Sequence, residues 1–243
     1  MKTPLFFIAT MLTLVVSCSK YEELQNNRIE PHDLLSDDKY RRLVVEIQYI
    51  DGYGPDTEAS EKLRQLLTKH LNKPGGIVLQ FRAIEGPSKS VYDISDIQAI
   101  EKDKRTHYVD GNTVSAYFLF LNGSYAGDSP DRKVLGVAYG STSMAVFGKT
   151  IEEFSGGIGQ PSTSKLQTKV MQHEFGHILG LVNTGSRMVH PHEDGSHPHH
   201  CDNNSCLMNA TAETSAVANL LFSGDVPTLD QNCINDLIAN GGK

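Results

Sequence analysis

Apolar positions along this chain follow two different rhythms. Residues 42–50, Arg42-Leu43-Val44-Val45-Glu46-Ile47-Gln48-Tyr49-Ile50, are β-branched and apolar and run into Asp51-Gly52, which predicts a strand ending in a turn. Residues 57–71 change to helix formers, with Leu63, Leu66, Leu67 and Leu71 at helical spacing, and Asn72-Lys73-Pro74-Gly75-Gly76 stops them. Further strands are predicted over 77–84, 114–121, 134–139 and 143–147, the last two around Gly140. Residues 85–112, with Pro87, Ser88, Lys89 and a cluster of charges, read as a short helix and loops. A later helix opens on Ser164-Lys165-Leu166-Gln167, a capping box, and runs to about Leu179, where Gly180 can take the left-handed conformation that ends it. The order is a β-rich sheet followed by a late helix.

The chain start has another pattern. Lys2, then the apolar run from Leu5 to Val16, then Ser17-Cys18 have the charge, core length and small-residue junction of a secretory signal, and the run is too short to span a bilayer comfortably. Three segments are expected: a signal over 1–17, a polar tether over 18–40 and one globular domain over 41–243. The formal charge of −7 shifts to −8 once Lys2 is removed, which makes nucleic acid an unsuitable partner.

The chemistry concentrates in His173-Glu174-Phe175-Gly176-His177. On a helix, histidines four apart share one face with Glu174 beside them, so two imidazoles can hold one zinc ion while the carboxylate reaches a bound water. Seven of the ten histidines fall between 173 and 200, and His190, His192, His197, His199 and His200 all follow the motif. His192 and His197 compete with His200 for the place of a third ligand, because Glu193 and Asp194 supply carboxylates able to orient an imidazole. Cys201, Cys206 and Cys233 remain beside Cys18, an odd number for an oxidising compartment, and offer either a disulfide or a structural zinc site.

Two resemblances extend this reading. The stretch from His173 to Gly180 resembles the zinc signature of metzincin metallopeptidases, H-E-x-x-H-x-x-G-x-x-H, except that Asn183 stands where the third histidine is expected. His200-Cys201-Asp202-Asn203-Asn204-Ser205-Cys206-Leu207-Met208 resembles the H-C-x-x-x-x-C-x-M stretch of archaemetzincins. That likeness implies that His200 is the third ligand beyond a loop inserted over 183–199, that Met208 is the Met-turn residue and that Gly180 makes the helix-ending turn. It implies a zincin-like α/β (α+β) fold: a twisted mixed sheet packed with helices, the active-site helix, then the Met-turn and a C-terminal subdomain. It also implies an extended substrate paired with an edge strand near 134–146. In archaemetzincins a later C-x-x-C pair joins the two cysteines around a second, structural zinc. Here Cys233 and Asp236 stand at those positions, so a three-cysteine site would need a carboxylate or histidine to complete it. Val15-Val16-Ser17-Cys18 resembles the bacterial lipobox, which makes Cys18 a lipid anchor site, and Ser19-Lys20-Tyr21-Glu22-Glu23 is similar to a surface-export tag of Gram-negative lipoproteins.

Together these imply a zinc-dependent endopeptidase acting on protein or peptide substrates, with Glu174 as general base and His173, His177 and His200 as ligands. The membrane is a partner through the lipid alone, at the outer membrane or cell surface. Two other readings stay open: a zinc-binding or zinc-scavenging lipoprotein without catalysis, suggested by the His-rich loop, and an inactive metzincin-like binding protein, suggested by Asn183.

Overall fold

Strand β1 (Arg42–Ile50) is buried over most of its length because it lies inside a parallel sheet covered on both faces. The computed structural model describes residues 28–87, 89–130, 132–210 and 224–243. After a short helix α1 (Pro31–Leu35) and β1 come α2 (Thr57–His70), β2 (Ile77–Ile84), β3 (Val91–Tyr92), α3 (Ile94–Lys104), β4 (Thr113–Leu121) and β5 (Ser124–Tyr125). Then follow β6 (Gly136–Ala138), β7 (Ser143–Phe147), α4 (Gly148–Glu153), α5 (Thr163–Ile178) and α6 (Gln231–Ala239). The main sheet has the order β2-β1-β4-β7-β6, parallel except for β6, which runs antiparallel to β7 and forms an edge. A parallel neighbour needs a crossover, and α2 and α3 supply the two that separate β1, β2 and β4.

The two sheet faces carry two cores. Val114, Ala116, Phe118 and Phe120 of β4 join Leu43, Val45 and Ile47 of β1 against Leu63 and Leu67 of α2 and Leu166, Val170 and Phe175 of α5. Tyr117, Leu119 and Leu121 point the other way, with Ala145 and Phe147 of β7, onto Tyr92 and Ile97. The period of two along β4 therefore divides its residues between two helix layers, which is why its sequence reads as a continuous apolar run. No helix among the described residues is long and apolar enough to cross a membrane.

Several boundaries differ from the sequence reading. Ile29, Leu34, Leu35 and Tyr40, expected in a polar tether, are buried in the main core. Lys73 fastens them: its Nζ donates to the carbonyls of Asp33, Ser36 and Tyr40, and burial pushes this ammonium down to about 8. The folded domain thus includes residues well before 41, while Cys18 and the other residues of the expected signal and tether up to 27 lie outside the described residues. Helix α5 is capped by Ser162, whose side chain accepts from the Lys165 amide, and the expected capping box at Ser164 does not form. Ser164 lies inside the first turn, where its hydroxyl donates to Glu58.

Candidate metal centre

Helix α5 brings His173 and His177 to the cleft as the four-residue spacing requires, with ring centroids 4.7 Å apart and Nε2 to Nε2 at 3.1 Å. His173 is fully buried and its Nδ1 lies 2.8 Å from the Leu207 carbonyl, which fixes the Nδ1–H tautomer and turns the Nε2 lone pair toward His177. His200 approaches from the other side, its ring 5.4 Å from that of His173 and 5.3 Å from that of His177. Its Nδ1 is set by the Pro198 carbonyl at 2.9 Å, so Nε2 is its metal-facing nitrogen. The three rings offer ligand nitrogens all within 4.8 Å of one another, a donor set that fits zinc.

The helix ends as the motif demands. Gly180 has φ +80°, and a Cβ there would meet the Ser186 amide nitrogen at 2.4 Å, so glycine is required for both conformation and space. Asn183, at the position where the third histidine of the signature is expected, instead donates from Nδ2 to Glu193 Oε2 and closes the base of the inserted loop. The loop returns as a ribbon in which Glu193 pairs with Cys201 and the Asp202 amide donates to the His192 carbonyl. That ribbon delivers His200 to the cleft.

The other candidates for third ligand go elsewhere. His192 is buried away from the cleft between Cys201 and Asp236, and His197 is exposed and bonded to Asp194. His190 and His199 are also exposed, though His199 lines the cleft rim. Met208 lies directly beneath α5: a Cβ on Gly176 would come within 2.3 Å of its sulfur. Cys201, Cys206 and Cys233 are buried thiols gathered in one cluster, with Cys206 and Cys233 sulfurs 3.6 Å apart. Hydrogen bonds from Cys201 and Cys233, and then from the Asp230 and Met208 amides, pull Cys206 far below the ordinary thiol range, while hydrogen bonding within the cluster, to Cys206 for Cys201 and to Cys201 and Cys206 for Cys233, pushes the other two up.

Two features escaped the sequence reading. Glu174 is fully buried against the edge strand β6, where a Cβ on Gly136 would come within 3.0 Å of its Oε1. Arg28, Ile29, Glu30 and Pro31 line the cleft, a space of about 550 Å³, together with Val137 and Ala138 of β6. No local signal marks either, because both depend on segments far apart in sequence meeting in space.

No family model matches the sequence, and no curated protein matches it. Solved structures do. An archaemetzincin from Methanopyrus kandleri is similar with a TM-score of 0.53 at 15% identity, covering 84% of this chain and 96% of its own. A zinc-dependent peptidase from Methanocorpusculum labreanum is similar with a TM-score of 0.50 at 15% identity, covering 79% and 99%. The chain has the mixed α/β fold of these zinc peptidases.

Proposed function

We propose that this protein is a zinc-dependent endopeptidase of metzincin type, with His173, His177 and His200 as zinc ligands and Glu174 as general base. The observation that carries the reading is the convergence of three imidazoles, two of which line a cleft bounded by an edge strand, with the carboxylate of Glu174 buried next to His173 on the same helix. The zinc peptidases with which the chain shares its fold support it. His173, His177 and His200 would hold the zinc ion, and the chemistry such an ion would supply is the acidification of a water molecule. Glu174 takes the proton as the water oxygen attacks the scissile carbonyl, and passes it to the departing amine nitrogen. The open side of β6 offers backbone groups at Val137 and Ala138 to an extended peptide, which would lie along that edge in the cleft that Ile29 also lines. A metal carrier would have no use for a carboxylate packed against Gly136 beside its ligands.

Glu174→Gln is expected to retain zinc while hydrolysis of a peptide library falls by about a hundredfold or more. Metal analysis and mass-spectrometric product mapping read the two quantities separately. Cleavage at the wild-type rate in this variant would remove Glu174 from the mechanism. The lipobox-like stretch ending at Cys18 supports export and lipid anchoring at the outer membrane or cell surface, for which Cys18→Ser should release the protein into the soluble fraction.

A further inference from the structure

On the side of the 200–208 segment away from the cleft, a second set of ligand atoms converges. His192 Nδ1 is 3.4 Å from Cys201 Sγ, and Cys206 Sγ is 3.6 Å from Cys233 Sγ. His192, Cys201, Asp230 and Cys233 form one group whose ligand atoms all lie within 4.8 Å of one another, and Cys206 joins it through its sulfur contact with Cys233. A tetrahedral zinc site with sulfur at about 2.3 Å and nitrogen at about 2.0 Å has edges of roughly 3.8 Å between sulfurs and 3.5 Å between sulfur and nitrogen. The observed separations are those edges within a few tenths of an ångström.

Asp236 decides the fourth ligand. It stands three residues after Cys233, where a second cysteine of a C-x-x-C pair would be, yet it points into the inserted loop. Its Oδ1 accepts the Val189 amide at 2.7 Å and its Oδ2 lies 2.9 Å from His192 Nε2. A carboxylate on Nε2 fixes the Nε2–H tautomer and leaves the Nδ1 lone pair toward Cys201, the arrangement by which a carboxylate orients a metal-binding imidazole. Asp230 is the rival oxygen, since its Oδ2 is 3.4 Å from Cys201 Sγ. Both its oxygens are already used, Oδ1 to cap α6 at the Cys233 amide and Oδ2 by Asn203 Nδ2. Cys206 accepts amide N–H groups from Met208 and Asp230, each at 3.4 Å, as suits a thiolate. Three thiolates and one imidazole around a divalent ion carry a net negative charge. The buried Lys169 stands beside this cluster, its Nζ donating to the Leu207 carbonyl next to Cys206 at 3.2 Å.

We propose that His192, delivered by the inserted loop and oriented by Asp236, completes a second, tetrahedral Cys3His site for a zinc-class cation with Cys201, Cys206 and Cys233. The loop compensates for the cysteine that Asp236 replaces.

The test uses the full chain, reduced, stripped of metal and titrated with cobalt(II) alone. Two ions per chain are expected, one of them giving sulfur-to-cobalt charge-transfer absorption and tetrahedral visible bands. His192→Ala should weaken cobalt binding at the sulfur site at least tenfold and distort those bands, and Asp236→Asn should weaken it about tenfold. His192→Cys should restore tight binding with stronger charge transfer, which separates ligand loss from misfolding. Unchanged affinity and spectrum in His192→Ala would overturn the proposal. So would failure of His192→Cys to recover sulfur-bound cobalt, or absence of sulfur-bound cobalt in the fully reduced parent. The readout comes from sulfur and is blind to the three-imidazole centre, so its failure leaves the peptidase reading standing.

Discussion

Gly176 sits inside the zinc motif for a reason that the motif itself does not state. The sulfur of Met208 occupies the space of a side chain there, only 2.3 Å from where a Cβ would lie, so the helix can cross the Met208 segment only without one. Gly176→Ala must push either the helix or Met208, a buried overpacking whose expected cost is about 1–3 kcal/mol. Thermal denaturation should show the loss, and chelator competition should show weaker zinc binding, because Leu207, next to Met208, holds His173. An unchanged melting temperature would mean that Met208 is not seated beneath the helix. Gly136 plays the matching part for Glu174, with Val170 Cγ1 2.6 Å from its would-be Cβ. Gly136→Ala should lower kcat while zinc content stays full, since the carboxylate must shift and the imidazoles need not. Gly180 was legible from sequence because a helix end is a local event; Gly136 and Gly176 answer to contacts between distant segments.

Among the elements, β1 carries a polar pair that looks out of place in a buried strand. Glu46 is buried, yet its carboxylate accepts the amides of Thr106 and His107, the Thr106 hydroxyl and the Gln48 side-chain amide. Burial works against the ionised form, but these donors outweigh it and hold Glu46 below its ordinary value of 4.5. They also anchor the end of α3 to the sheet. A depressed carboxylate contributes stability that is full above its unfolded value and is lost as pH falls through the folded one. The parent should therefore exceed Glu46→Gln in stability at neutral pH, by about 1.5–3 kcal/mol for hydrogen bonds to a charge, and the gap should shrink below pH 4.5. Denaturant melts at pH 7 and pH 3.5 check this; an equal gap at both would remove the charge from the account. The same elements show what the sequence could reveal. The strands over 42–50 and 143–147 were legible because burial on both faces leaves an apolar run bounded by turn residues, and the half-exposed edge strand over 77–84 because its apolar residues follow the Pro74-Gly75-Gly76 break. Helix α3 was harder to see as an 11-residue element because Ile97 is its one fully buried residue, so its apolar stripe is faint. The folding of residues 29–40 was hidden because the groups that fasten it, the Tyr40 carbonyl and the His32 ring, find their partners on distant segments, at Lys73 and at the Asn240 carbonyl.

Over the whole molecule, the 200–208 segment serves two centres at once. His200 turns into the cleft while its neighbour Cys201 turns to the sulfur cluster. Cys206 belongs to that cluster, the next carbonyl, Leu207, orients His173, and Met208 lies under Gly176. The Met208 carbonyl also accepts the Cys201 amide, closing the segment on itself. A cation held by His192 and the three thiolates would therefore fix both the third imidazole of the cleft and the acceptor that fixes the first. This coupling rests on both proposals and has a consequence of its own. His192→Ala, at a residue that does not line the cleft, should weaken zinc binding at His173, His177 and His200 by about tenfold, a loss of roughly 1.4 kcal/mol in coupling. Zinc competition measured in the Glu174→Gln background reads this without turnover or self-cleavage. Peptidase activity in His192→Ala itself should then recover as zinc is raised, because the chemistry is intact and only occupancy has fallen. If the cleft binds zinc as tightly in the variant as in the parent, the segment is rigid without its second ion and the two centres act independently.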